Sequence, residues 1–80
     1  MKPAVIKVLP KSGYLLDLTF ENVEIKVFDM NPYLNIGLFV ELKNEAVFNS
    51  VKVFFDSIQW SNELDFDPEV LYDYSQPVSK

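Results

Sequence analysis

The sequence predicts a small α+β fold: an antiparallel sheet of four to five strands, begun by an N-terminal three-stranded meander, with short helices packed on it. Three observations lead there. Residues 4–29 hold three short apolar or alternating runs separated by turn residues. Residues 38–49 carry apolar side chains at helical spacing. Near the C-terminus, Asp67-Pro68-Glu69 joins an N-capping acid, a proline suited to the first helical position and an acid that favours the helix dipole.

Ala4-Val5-Ile6-Lys7-Val8-Leu9 is β-branched and apolar, and it reads as the first strand. Pro10-Lys11-Ser12-Gly13 is a turn. From Tyr14 to Phe20, the set Tyr14, Leu16, Leu18, Phe20 alternates with Leu15, Asp17, Thr19, the period of a strand with one face toward the core. Glu21-Asn22 fits a tight reversal, with Asn22 the residue best suited to positive φ. Val23, Ile25 and Val27 alternate with Glu24 and Lys26 and complete the meander.

The segment Asp29-Met30-Asn31-Pro32-Tyr33-Leu34 breaks the pattern, with Asp29 able to cap a helical turn and Pro32 placed near its start. After Gly37, the residues Leu38, Phe39, Leu42, Ala46 and Val47 fall at helical spacings. Asn44 can end one helix and cap another, so residues 38–43 and 45–49 read as one broken helix or two short ones. Residues 51–56 are β-branched and aromatic and form a fourth strand; Ile58-Gln59-Trp60 forms a fifth. Ser61-Asn62-Glu63 is a turn and Leu64-Asp65-Phe66 a brief extended piece. The final helix runs from Pro68 to about Tyr74, with Val70, Leu71 and Tyr74 toward the sheet and a frayed end from Pro77. An exposed edge strand makes a homodimer a reasonable expectation.

Eighty residues, 49% apolar and 15% aromatic, suit a single domain, 1–80, with a compact core. The absent residues exclude more than the present ones suggest. No Cys is present, hence no disulfide and no thiolate metal site. No His is present either, which removes the usual base near neutral pH and both the Ser-His-Asp and Cys-His arrangements. All seven basic residues are Lys, so no guanidinium fork can grip phosphate or guanine, and a net charge of −5 repels a polyanion. Direct nucleic-acid binding is not expected, and no cofactor is. No apolar run is long enough to span a membrane, and Lys2 and Lys7 interrupt the place of a signal peptide's apolar region, so a soluble cytoplasmic protein is expected.

Charge is unevenly placed. Residues 1–52 balance six Lys against six acids, whereas residues 53–79 hold Asp56, Glu63, Asp65, Asp67, Glu69 and Asp73 and no Lys. One reading is a solvated surface; the other is a docking face for a basic partner. The densest part, Glu63 to Glu69, has four carboxylates that could meet a hard cation. Alternation with Leu64 and Phe66 instead turns the acids outward, Asp67 is better used as a cap, and the glycine of an EF-hand loop is missing. Paired carboxylates for glycoside hydrolysis need a cleft that so short a chain leaves little room for. Trp60, Tyr72 and Tyr74 could form an aromatic contact patch. Trp60 reads rather as the residue closing the core, Tyr72 fits either role, and Tyr33 and Phe39 read as core.

Met1-Lys2-Pro3-Ala4-Val5-Ile6-Lys7-Val8, Leu18-Thr19-Phe20-Glu21-Asn22 and Phe28-Asp29-Met30-Asn31-Pro32-Tyr33-Leu34 resemble a bacterial family, domain of unknown function 2442. Val51-Lys52-Val53, Ile58-Gln59-Trp60 and Asp65-Phe66-Asp67-Pro68-Glu69-Val70-Leu71-Tyr72 extend the resemblance over nearly the whole chain. Such sequences tend to carry glycine in the turn after the second strand, where this one has Asn22-Val23, and Pro-Asn-Gly after the tryptophan, where this one has Ser61-Asn62-Glu63. The resemblance implies a small α+β fold and a gene neighbourhood with domain of unknown function 4160 in a toxin–antitoxin-like pair. Some members add a helix-turn-helix domain; none follows within these 80 residues, so a regulatory role is expected to work through protein contact.

The expected function is therefore a non-enzymatic, antitoxin-like protein-interaction domain that meets a small basic partner through its acidic C-terminal segment. Asp65, Glu69, Tyr72 and Asp73 are the candidate contacts. The alternatives are a small-ligand or divalent-metal domain using Glu63 to Glu69, and a purely structural homo-oligomer.

Overall fold

Alternation in the central strand organises the molecule. A computed structural model describes residues 2–78; Met1, Ser79 and Lys80 lie outside the described residues. Strand β2 (Leu15–Phe20) buries Leu16, Leu18 and Phe20 completely and leaves Leu15, Asp17 and Thr19 half-buried on the other face. It pairs antiparallel with β1 (Val5–Lys11) on one side and β3 (Ile25–Asp29) on the other, which is the expected meander. The β1 register shifts between Val5 and Lys7, where a bulge at Ile6 inserts one residue. Val5 thereby faces buried Phe20, and Val8 rather than Lys7 falls opposite buried Leu18. The bulge, Pro10 and the lysines at 7 and 11 protect the outer edge of β1 from pairing with another strand.

Strand β4 (Lys52–Phe54) and strand β5 (Ser57–Gln59) form a hairpin of their own. They do not extend the meander. The fourth strand of the main sheet is β6 (Gln76–Pro77), which pairs with Lys26 and Val27 of β3. Pro77 and Val78, expected to belong to a frayed end, are thus tied down, with Val78 N–H donating to the Ile25 carbonyl at 3.2 Å; the rest of that end lies outside the described residues. The predicted fourth strand is shorter than residues 51–56 because Phe55 and Asp56 turn the chain. The hairpin meets the main sheet where Val5 N–H donates to the Asp56 carbonyl at 3.1 Å.

Between β3 and β4 the chain makes a 3-10 turn at Asn31–Tyr33, a 3-10 helix at Gly37–Lys43 and α1 (Glu45–Phe48). Asp29 Oδ1 accepts from Asn31 N–H at 2.9 Å at the entry to the first turn, and Pro32 sits in it. Asn44 plays both expected roles: its N–H closes on the Glu41 carbonyl, and its Oδ1 accepts from Ala46 N–H at 2.9 Å. Three residues per turn stack Phe39 over Leu42, so Leu38, expected on that face, is exposed. Helix α2 (Pro68–Tyr74) starts as predicted, with Asp67 Oδ1 accepting from Glu69 N–H at 2.8 Å. Its buried stripe runs through Leu71 and Ser75, four residues apart, with Tyr72 on its flank. Tyr74, expected to face the sheet, is 67% exposed because it lies at the helix end, beyond that stripe.

Two hairpin loops share one geometry. Phe20 bonds Val23 and Glu24 as Trp60 bonds Glu63 and Leu64, each contact 2.9 Å. The residue before the last of each loop, Asn22 or Asn62, accepts on Oδ1 from the N–H two residues on. Positive φ falls not on Asn22 but on Val23 (62°) and Glu63 (70°), the positions that end a three-residue loop. The core gathers Trp60, Phe20, Phe28, Phe48, Met30 and Leu71 between sheet and helices. Among the described residues, no helix is long and apolar enough to cross a membrane.

Candidate functional site

The acidic C-terminal segment spreads over two neighbouring regions. Leu64 and Phe66 are half-buried against the core, while Glu63, Asp65, Asp67 and Glu69 are exposed, as their alternation predicts. Asp65 bridges to Gln59 in a single antiparallel pairing, which brings the extended piece alongside β5. Asp67 is committed to capping α2, and Glu63 sits in the loop after Trp60. Among the described residues, no group of three or more acidic side chains gathers so as to hold a metal ion.

Of the four candidate contacts, Glu69, Tyr72 and Asp73 come together on α2, and Asp65 does not join them. Lys2 sits among the three. Its Nζ lies 2.9 Å from Asp73 Oδ1 and 5.7 Å from the Tyr72 ring centroid. The hydrogen bond and charge of Asp73, helped by Glu69, raise the Lys2 pKa. The Tyr72 ring packs edge-on against Phe20 at 5.0 Å, and its hydroxyl donates to Glu24 Oε1. That bond holds Glu24 below its ordinary pKa, helped by the Asn22 amide, and lifts Tyr72 above its own, against a smaller lowering by Asn22. Tyr72 is thus a structural tie between α2 and the second hairpin, with Lys26 Nζ 3.7 Å over its ring.

Asp65 belongs to a groove between the β4–β5 tip and the start of α2. Asp56 and Asp67 share it, together with Phe54, Phe55 and Phe66. The sequence reading counted Asp56 among the surface acids but missed Phe55 as a surface feature and the turn that both make, because it ran the fourth strand through them. Their only local signal is an acid in a Phe-Phe-Asp-Ser run that a short hairpin could reverse. Trp60 is core, 1% exposed, with its Nε1–H donated to the Phe48 carbonyl at 3.1 Å.

The arrangement offers charge recognition beside apolar surface. Lysines are absent from residues 53–78, and the ion pairs among the described residues are Lys2–Asp73 and Lys11–Asp17. Asp56, Glu63, Asp65 and Asp67 therefore face solvent without a described ion-pair partner, and Glu69 does too, although it feels the nearby Lys2 charge.

No curated protein and no solved structure matches this chain. The family model described as a protein of unknown function (DUF2442) matches residues 5–77, from the first residue of β1 to the last of β6. The match takes in both glycine-less loops and the Asp67-Pro68-Glu69 helix start, and on it the chain belongs to the DUF2442 family.

Proposed function

We propose that this chain is a non-enzymatic protein-interaction domain, antitoxin-like in working by contact, that meets a basic protein partner through its acidic C-terminal segment. One observation carries the reading: of the six carboxylates in residues 53–78, the described residues pair only Asp73 with a cation. Such a one-signed surface steers a cationic partner and speeds its encounter. The composition supports the same reading from the other side. A chain without His, Arg or Cys lacks the base most used near neutral pH, the guanidinium fork for phosphate and the thiol nucleophile.

Asp65 and Glu69 are the contact residues best exposed for this role. Asp73 serves it only when a partner's cation displaces Lys2, and Tyr72 contributes by holding α2 in place. The test is capture of partners from the native host on the tagged chain, followed by affinity measurement with the purified partner across salt concentrations. Asp65→Lys with Glu69→Lys is expected to weaken binding about tenfold or more and to flatten its salt dependence. Unchanged affinity at low salt overturns the acidic-face reading.

A further inference from the structure

The β4–β5 hairpin ends in a way that stability alone does not favour. Phe54 pairs with Ser57, so Phe55 and Asp56 form a two-residue turn. With positive φ at its first central residue, this turn takes the form that ordinarily has glycine there. Here that residue is Phe55, with φ 55° and 85% exposure. Its ring rests edge-on against Phe54, centroids 4.6 Å apart and planes at 76°, so an aromatic pair stands at the tip in water. A glycine would relieve the backbone and expose less apolar surface.

Beside this pair lies the groove of about 550 Å³ that Phe66 also lines. Asp56, Asp65 and Asp67 stand along it, and none of them has an ion-pair partner among the described residues. Aromatic faces and carboxylates at one place suit the same group: a cation on an apolar stem, which stacks on a ring and pairs with an acid. Three carboxylates disfavour an anionic lipid surface or a nucleic acid. A second copy of the groove would oppose like charges, which disfavours self-association here.

We propose that this groove docks an extended segment of a protein partner in which lysine or arginine neighbours an aromatic side chain, with Phe55 as the anchor. The inference rests on the reading of a basic partner and locates its docking point away from the Lys2–Asp73 pair. Exposed aromatics that a partner buries are the usual carriers of interface energy.

Two probes of equal charge test it on the full chain: a short oligolysine peptide with two central tryptophans, and the same peptide with serines there. Amide NMR shifts on titration are expected to gather at residues 54–58 and 65–67, with the tryptophan peptide bound about tenfold tighter. Phe55→Gly, which eases the backbone and keeps the fold, is expected to abolish that preference. Asp56→Asn with Asp65→Asn is expected to weaken both peptides. Equal binding of the two peptides, or shifts centred on residues 69–74, overturns the groove and leaves the acidic-face reading standing. Silence of both peptides at millimolar concentration overturns both.

Discussion

Tyr72 on α2 donates its hydroxyl proton to the carboxylate of Glu24, a residue 48 positions away at the entry to β3. The same ring stands edge-on to Phe20, and Lys26 lies over its face while donating to the Tyr72 carbonyl at 3.0 Å. One side chain thus joins the last helix to both arms of the second hairpin. Its neighbours on the helix, Glu69 and Asp73, are held in place by that tie, which makes the acidic surface of α2 dependent on a polar bond.

This bond makes stability respond to pH on two sides. Glu24 is lowered from an ordinary value of 4.5, so its contribution is complete above that value and is lost as pH falls through the lowered one. Tyr72 is raised from 10.0, so its contribution is complete below that value and is lost as pH rises through the raised one. Tyr72→Phe is expected to open a stability gap that is flat at neutral pH and narrows toward acid and toward strong base. Urea midpoints of both proteins across pH measure it. A gap that does not narrow on the acid side means that the Glu24 charge takes no part.

Trp60 is the residue whose loss should cost most. Its indole is buried, and its N–H satisfies the carbonyl that ends α1 at Phe48, whose own ring packs 5.1 Å from Tyr14. Trp60→Phe keeps an aromatic but leaves a cavity and removes the shorter of the two bonds to the Phe48 carbonyl, which retains the Val51 N–H at 3.4 Å, a cost of about 1–3 kcal/mol. Denaturant unfolding of the variant measures that loss. In the parent chain the single tryptophan reports it directly, with emission shifting to the red and acrylamide quenching rising on unfolding.

Those elements that a local pattern encodes were legible in the sequence. The Leu15–Phe20 alternation, the Asn44 double cap and the Asp67-Pro68-Glu69 start each depend on neighbours within a few residues and stand as read, although Tyr14, expected in the strand, lies in the turn before it at a φ of 62°. What the sequence concealed depends on distant partners or on residues used against type. Gln76 and Pro77 are too short a run to announce a strand, and pair with β3 only because α2 delivers them there. Phe55-Asp56 has no glycine where this turn ordinarily has one, so the fourth strand reads as running through Asp56 before the fifth begins. At the candidate site, the outward acids followed from alternation with Leu64 and Phe66. Lys2–Asp73 and Tyr72–Glu24 could not, since nothing in either local stretch names its partner.

The cap and the charge of Asp67 can be separated. Asp67→Ala removes the acceptor for Glu69 N–H and is expected to cost about 1 kcal/mol. Asp67→Asn keeps an oxygen there and is expected to change stability little, while removing one carboxylate from the groove. Thermal or urea unfolding distinguishes them. Equal losses from both variants show that charge rather than capping holds the helix start.

Val23 and Glu63 offer the opposite kind of change, a gain in stability from a smaller side chain. Both end a three-residue loop at positive φ, 62° and 70°, and these are the positions where glycine relieves strain. The left-handed conformation costs a non-glycine residue about 1–2 kcal/mol, and the flexibility that glycine adds to the unfolded chain returns about 0.5–1 kcal/mol of it. Val23→Gly is expected to stabilise by about 0.5–1 kcal/mol, and more than Glu63→Gly does, because β-branching makes valine the poorer fit. Val23 is 80% exposed, so no burial is lost in exchange. Asn22 and Asn62 keep their bonds to the following N–H groups, and Asn62 also donates to Glu41 at 2.7 Å, so neither loop relies on the side chain removed. The double variant is expected to show the sum of the two gains, since the loops share no contact partner. Val23→Ala is the control in denaturant unfolding: alanine lacks the branch but keeps Cβ, so a gain as large as that of glycine assigns the strain to the valine side chain and not to the left-handed backbone.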